Sequence, residues 1–167
     1  GEKSVNQVWL NEFQELANKN GLVSVKLSYA DASAFGDIQY TARDTISHLE
    51  WYALIKYSKA YVGTNMHPIV TSIANGVPFY CFDNYGIPKI DGQWTNGESS
   101  KIYHILSAAD LLKYRVFISG QDYSPTSAST VMDAILSFDA VKEKAFAVRY
   151  YQSYSNMMIQ VLNQLKK

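Results

Sequence analysis

Apolar residues at Val5, Val8, Trp9, Leu10, Phe13, Leu16 and Ala17 recur at three- and four-residue spacing, which predicts an opening helix that Asn20-Gly21 stops. Leu22 to Leu27 alternates in part and carries β-branched residues, so it reads as a strand. Ala30 to Thr41 is irregular, with Gly36-Asp37 as a turn and a weaker strand pattern at Ile38-Gln39-Tyr40. From about Asp44 the helical period returns. Ser47-His48-Leu49-Glu50 has the spacing of a capping box, and Leu49, Tyr52, Ala53 and the apolar stem of Lys56 are expected to share one face, with an end near Ser58-Lys59.

Tyr61 to Thr64 then reads as strand and tight turn, Ile69 to Asn75 as a short helix with Pro68 suited to its first position, Gly76 as its stop and Val77 to Asp83 as a second strand. Asn84 to Gly97 is a long polar connection rich in turn residues, and a loop of that length beside a strand end is more often functional than idle. Ser99-Ser100-Lys101 starts a helix through Ile102, Ile105 and Leu106, and Ser107 to Leu112 suggests another helical turn before a last strand at Val116 to Ile118. After Tyr123-Ser124-Pro125 the chain is helical, with a break near Phe138-Asp139 and a long closing helix to about Leu165. Four strands and a weaker fifth alternate with helices, so the expected fold is α/β: one Rossmann-like domain over residues 1–167, its mostly parallel sheet covered by helices on both faces.

Composition narrows the partners. Fifteen Lys plus Arg against fifteen Asp plus Glu leave no global field to steer the 167-residue chain onto nucleic acid or an anionic membrane, so any anion site must be local. No stretch approaches a membrane span. The single Cys81 lies in an apolar run and reads as a small buried hydrophobe; the lack of a disulfide framework favours a reducing, cytoplasmic setting. His48 and His104 have no metal-ligand pattern around them, and no cofactor is expected. The chain opens at Gly1 without methionine, in the manner of a cleaved expression tag, so it is read as the C-terminal part of a longer protein whose N-terminal domain is missing.

The chemistry concentrates at Gly63-Thr64-Asn65-Met66-His67-Pro68, where a strand end, a histidine and a helix N-terminus coincide. Such a corner suits an anionic ligand, with amides at Ile69 and Val70 pointing to it and the helix dipole adding about 0.3 to 1 kcal/mol. The ordinary reading of His67 is a locally bonded residue at a helix start, and Lys89 and Lys101 taken singly are solvated side chains. Asp83 at a strand end suits a ribose or, more simply, a backbone turn. Trp94, Tyr80, Tyr85, Tyr103 and Tyr123 are candidates for a sugar-stacking wall, although aromatic residues mostly report packing.

Glu50 to Lys89 resembles the C-terminal half of the polysaccharide pyruvyl transferase family, which orders a helix, a strand ending in Gly-x-Arg-x-His, a small-residue helix, a Gly-x-Pro turn and another strand. The matching elements are Gly63-Thr64-Asn65-Met66-His67 and Gly76-Val77-Pro78, with Lys89 and Ser99-Ser100-Lys101-Ile102 similar to a later lysine and helix start; the likeness runs over roughly residues 45 to 110. The resemblance implies the donor-side half of a two-domain, glycosyltransferase-B-like fold. It also implies transfer of a pyruvyl group from phosphoenolpyruvate onto two glycan hydroxyls as a cyclic ketal, within exopolysaccharide or cell-surface glycan synthesis. His67 becomes the candidate catalytic residue, and Gly63, Thr64, Asn65, Ile69, Lys89, Ser100 and Lys101 the candidate substrate-binding residues. One departure stands out: Asn65 occupies the family's arginine position, and a neutral amide replaces a charged, planar fork suited to phosphate or carboxylate. A nucleotide-sugar glycosyltransferase donor domain and a non-catalytic binding or assembly domain are the alternatives. With only half a cleft present, the isolated chain is expected to be inactive.

Overall fold

The computed structural model describes residues 6–27, 35–40, 46–118 and 126–165. Helix α1 (Gln7–Lys19) is capped by the Asn6 side chain, which accepts from the Trp9 amide at 2.9 Å. Trp9, Phe13 and Ala17 of the predicted stripe are buried and Leu10 and Leu16 partly so, whereas Val8 is 74% exposed and Val5 lies outside the described residues. Strands β1 (Val25–Leu27) and β2 (Ile38–Tyr40) then pair in parallel. Ala30 and Thr41 to Asp44, like the Tyr123-Ser124-Pro125 break, lie outside the described residues.

Helix α2 (His48–Lys56) carries the expected capping box, with the Glu50 amide donating to Ser47 Oγ at 3.2 Å and the Ser47 amide donating to Glu50 Oε2 at 2.8 Å. Its inward face differs from the expectation. Leu49 is 81% exposed, whereas Ile55 is buried and Trp51 and Leu54 are partly so. Apolar residues surround this short helix, so two faces satisfied the same spacing and packing chose the one with more buried carbon.

Three parallel strands form the centre: β3 (Tyr61–Gly63), β4 (Phe79–Asp83) and a last strand, Arg115–Phe117, in the order β3, β4, last strand. Every residue of β4 is buried, as a central parallel strand covered on both faces must be. Phe82 meets Trp9 of α1 edge-on at 5.3 Å on one side; Phe79 meets Tyr114 at 6.0 Å and Phe138 at 5.4 Å on the other. Cys81 is fully buried, and burial pushes its thiol well above the usual range, the nearby Asp83 adding to the rise and Arg115 opposing it. Such a thiol is inert.

Between β3 and β4 runs α3 (Met66–Asn75), stopped by Gly76 in the left-handed conformation (φ 65°). Two short strands, β5 (Lys89–Ile90) and β6 (Gln93–Trp94), pair antiparallel around Asp91 (φ 49°) and Gly92 (φ 79°). Two successive left-handed residues make the hairpin turn that Asp-Gly favours, so the stretch expected to be only a polar connection holds a hairpin. Helices α4 (Lys101–Ala108), α5 (Ala128–Leu136) and α6 (Ala140–Leu165) follow, with the last strand, now β7, between α4 and α5. A 3-10 turn at Leu112–Tyr114 replaces the second helical turn expected there. The fold is thus mixed α/β with small parallel sheets and helices, and β1–β2 is a separate pair from β3–β4–β7 among the described residues.

Candidate functional site

Because β3, β4 and β7 run parallel, Gly63, Asp83 and Phe117 end at one edge, and the loops that leave it are where an open α/β sheet binds ligands. At the β3 end, Thr64 is buried and Asn65 is the N-cap of α3 in extended conformation (φ −89°, ψ 137°) with no side-chain capping bond. The helix therefore begins at Met66, earlier than expected from Pro68. This corrects the anion-site geometry. In a helix starting at Met66, the Ile69 and Val70 amides turn inward to the carbonyls of Asn65 and Met66, and Pro68 has no amide hydrogen. The amides without an intrahelical acceptor are those of Met66 and His67. Ile69 itself is fully buried in the core.

The His67 imidazole is exposed at this corner, and its carbonyl accepts from Thr71 Oγ1 at 3.0 Å. Beside Gly63 and the Asn65 amide lies a group that sequence reasoning missed. The Tyr61 ring folds across Gly63, so that a β-carbon at position 63 would sit 2.6 Å from Tyr61 Cζ and closer still to its hydroxyl. Burial pushes this phenol well above its usual range; the Asn65 backbone amide pulls back in part, and Cys81 and Tyr85 add to the rise. The neutral Tyr61 hydroxyl thus accepts from the Asn65 amide beside the α3 N-terminus. The signal was available: residues i and i+2 of a strand share a face, and Gly63 is the neighbour that lets a ring lie flat there.

At the β4 end, Asp83 is fully buried and serves two partners. Oδ1 accepts from the Tyr85 amide at 3.0 Å, the expected turn, and Oδ2 accepts from Arg115 Nε at 2.7 Å. The rest of the guanidinium reaches the carbonyls of Asn96 at 2.9 Å and Gly97 at 3.1 Å, with the Tyr103 ring 5.2 Å from its centre. One arginine therefore ties the 84–100 loop to the sheet edge. The same loop is closed by Ser99 Oγ, which accepts from the Ile87 amide at 2.7 Å.

The remaining candidates are distributed along this loop and its exit. Ser100 is buried as the α4 N-cap, its hydroxyl accepting from the Ile102 amide at 3.1 Å, and Lys101 is exposed at the first position of α4. Lys89 sits in β5 opposite Trp94, its ammonium 4.3 Å from that ring. Of the aromatic wall, Trp94 and Tyr85 are exposed, Tyr103 lies under Arg115, Tyr80 belongs to the core and Tyr123 falls outside the described residues. The structure thus gathers Gly63, Thr64, Asn65 and His67 in one turn and places Lys89, Ser100 and Lys101 on a separate loop and helix start. Among the described residues, no helix is long and apolar enough to cross a membrane.

The family model of polysaccharide pyruvyl transferases matches residues 5–85, which supports the family suspected from the Gly63 to His67 element. The matched stretch holds Gly63, Thr64, Asn65, His67 and Ile69 and ends before Lys89, Ser100 and Lys101. No curated protein and no solved structure matches the chain.

Proposed function

With the polysaccharide pyruvyl transferase family as the premise, we propose that this domain binds phosphoenolpyruvate at the carboxyl edge of β3–β4–β7 for transfer of its pyruvyl group to a hydroxyl pair of a glycan. The observation that carries the reading is the turn from Gly63 to His67, where an exposed imidazole and two helix-start amides share the start of α3.

The reaction needs a proton at the enol carbon of the donor, removal of protons from the two attacking hydroxyls, and stabilisation of the departing phosphate. His67 is suited to the proton steps, because its exposed imidazole can present one nitrogen as a donor and the other as an acceptor. The amides of Met66 and His67, at the positive end of α3, suit the phosphate or carboxylate. Lys89 and Lys101 supply cations on the neighbouring loop and helix, Ser100 shapes that helix start, and Gly63 and Thr64 shape the turn. In this reading the chain acts as the donor half of a two-domain, glycosyltransferase-B-like arrangement, working in the cytoplasm, with the glycan acceptor held between the two halves.

The test is thermal denaturation with and without millimolar phosphoenolpyruvate. A concentration-dependent rise in Tm that His67→Ala reduces supports the proposal. A rise with uridine diphosphate sugars instead assigns the site to a glycosyltransferase. Asn65 in place of arginine favours a second reading, a non-catalytic binding domain, for which neither ligand shifts Tm.

A further inference from the structure

The second half of α6 leaves a long run of apolar side chains uncovered among the described residues. Ala147, Tyr151, Tyr154, Met158, Val161 and Leu165 follow one another at alternating four- and three-residue steps, the seam of a coiled coil. From Tyr151 to Leu165 these side chains are 71%, 53%, 37%, 42% and 78% exposed, and Tyr150, Met157 and Leu162 flank the seam and are exposed too. With aromatic side chains of about 150–250 Å² each, the tyrosines alone leave roughly 300–450 Å² open, and the whole face is on the order of 800 Å². A typical monomer exposes a largest patch of about 300–600 Å², while each partner of a stable interface contributes about 800 Å².

We propose that this face is a dimer interface, and that its occupant is α6 of a second copy of this chain, seam against seam. Three features select that occupant. A repeat of 3.5 residues is matched along its length only by another helix with the same repeat, and α6 of a second copy carries it. From Tyr150 to Leu165 the helix has no Asp, Glu, Lys or Arg, so self-pairing brings no like charges together. The opposite face, with Arg149, Gln152, Asn156, Gln160 and Asn163 and the exposed Ile159 at its border, is mostly polar and carries a single cation, which suits solvent better than the strongly cationic face that a helix lying on anionic lipid presents.

Sedimentation velocity on the 167-residue chain, from low to high micromolar concentration, tests this. A concentration-dependent dimer is expected. Tyr154→Glu with Met158→Glu should weaken dimerisation about tenfold or more, because the new carboxylates are buried and face each other. Asn156→Glu, on the opposite face, should leave it unchanged, with circular dichroism showing equal helix content in all three proteins. A chain that stays monomeric throughout, a seam variant that dimerises as well as its parent, or a monomer that floats with anionic vesicles would each overturn the proposal.

Discussion

Asp83 and Arg115 form a buried ion pair at 2.7 Å, side chains 0% and 6% exposed, joining the end of β4 to the start of the adjacent parallel strand β7. The pair is also the anchor of a loop, since the same guanidinium holds the Asn96 and Gly97 carbonyls. Removing one partner leaves the other charge buried and alone, which costs about 3–5 kcal/mol. Arg115→Met is therefore expected to lower stability by that order in urea denaturation. Limited proteolysis should show new cleavage between Asn84 and Ser99. Equal protease resistance in variant and parent would remove Arg115 as the loop's anchor.

Tyr61 and Gly63 give a second expectation. A β-carbon at position 63 would meet the Tyr61 ring at 2.6 Å and 3.3 Å, so Gly63→Ala must displace the ring from the site. Overpacking of this kind costs about 1–3 kcal/mol. Combining it with Tyr61→Ala should recover part of that loss, because the clash then has no partner. The double-mutant cycle in chemical denaturation should show coupling of about 1 kcal/mol or more. Simple additivity would mean that the ring does not depend on the glycine.

What the sequence disclosed follows from range. Capping signals such as Ser47 with Glu50, and Ser100 before Ile102, act over two or three residues and found both helix starts. The unbroken run Phe79 to Asp83 reported a strand buried on both faces. The Asp83–Arg115 pair stayed hidden because it spans 32 residues and depends on the register that sets Cys81 opposite Arg115. The inward face of α2 and the start of α3 were missed for a different reason. In each, local spacing allowed two answers, and tertiary packing around Ile55 and the turn at Asn65 decided. At the candidate site, the motif gave Gly63 and His67, and Tyr61 was open to the same reading through its i, i+2 relation to Gly63 on one strand face.

Glu143 makes stability depend on pH in a sense unusual for a carboxylate. It is fully buried in the first turn of α6, and neither oxygen has a hydrogen-bond partner among the described residues. Burial pushes its carboxyl up to about 8 from 4.5, with Lys144 opposing the rise. Between those values the folded protein keeps a proton that the unfolded chain has released, so stability falls as pH rises through this window. The full cost is reached above about 8. Glu143→Gln should flatten this part of the stability profile. It should raise stability near pH 8 by a few kcal/mol, on the order expected from linkage, and change little near pH 4.5. A parent protein with no decline between these pH values would show that the carboxylate finds water or a partner.

Asn65 is the position where introducing the arginine of the pyruvyl transferase motif it resembles tests the proposed donor site. It stands immediately before the α3 amides, its side chain makes no capping bond, and it is exposed. An arginine there replaces one neutral amide by a charged fork, without giving up a hydrogen bond of the fold. A charge-assisted bond contributes about 1.5–3 kcal/mol, so Asn65→Arg is expected to tighten phosphoenolpyruvate binding by about ten- to a hundredfold. Isothermal titration of parent and variant measures this directly, and inorganic phosphate as a second titrant separates the phosphate's share from the carboxylate's. The added charge also predicts a steeper loss of affinity with salt than in the parent, since exposed charges are screened within about 10 Å at 0.1 M ionic strength. If the variant binds no more tightly, the ligand's anionic groups do not lie against the start of α3, and the proposed site moves elsewhere on the sheet edge.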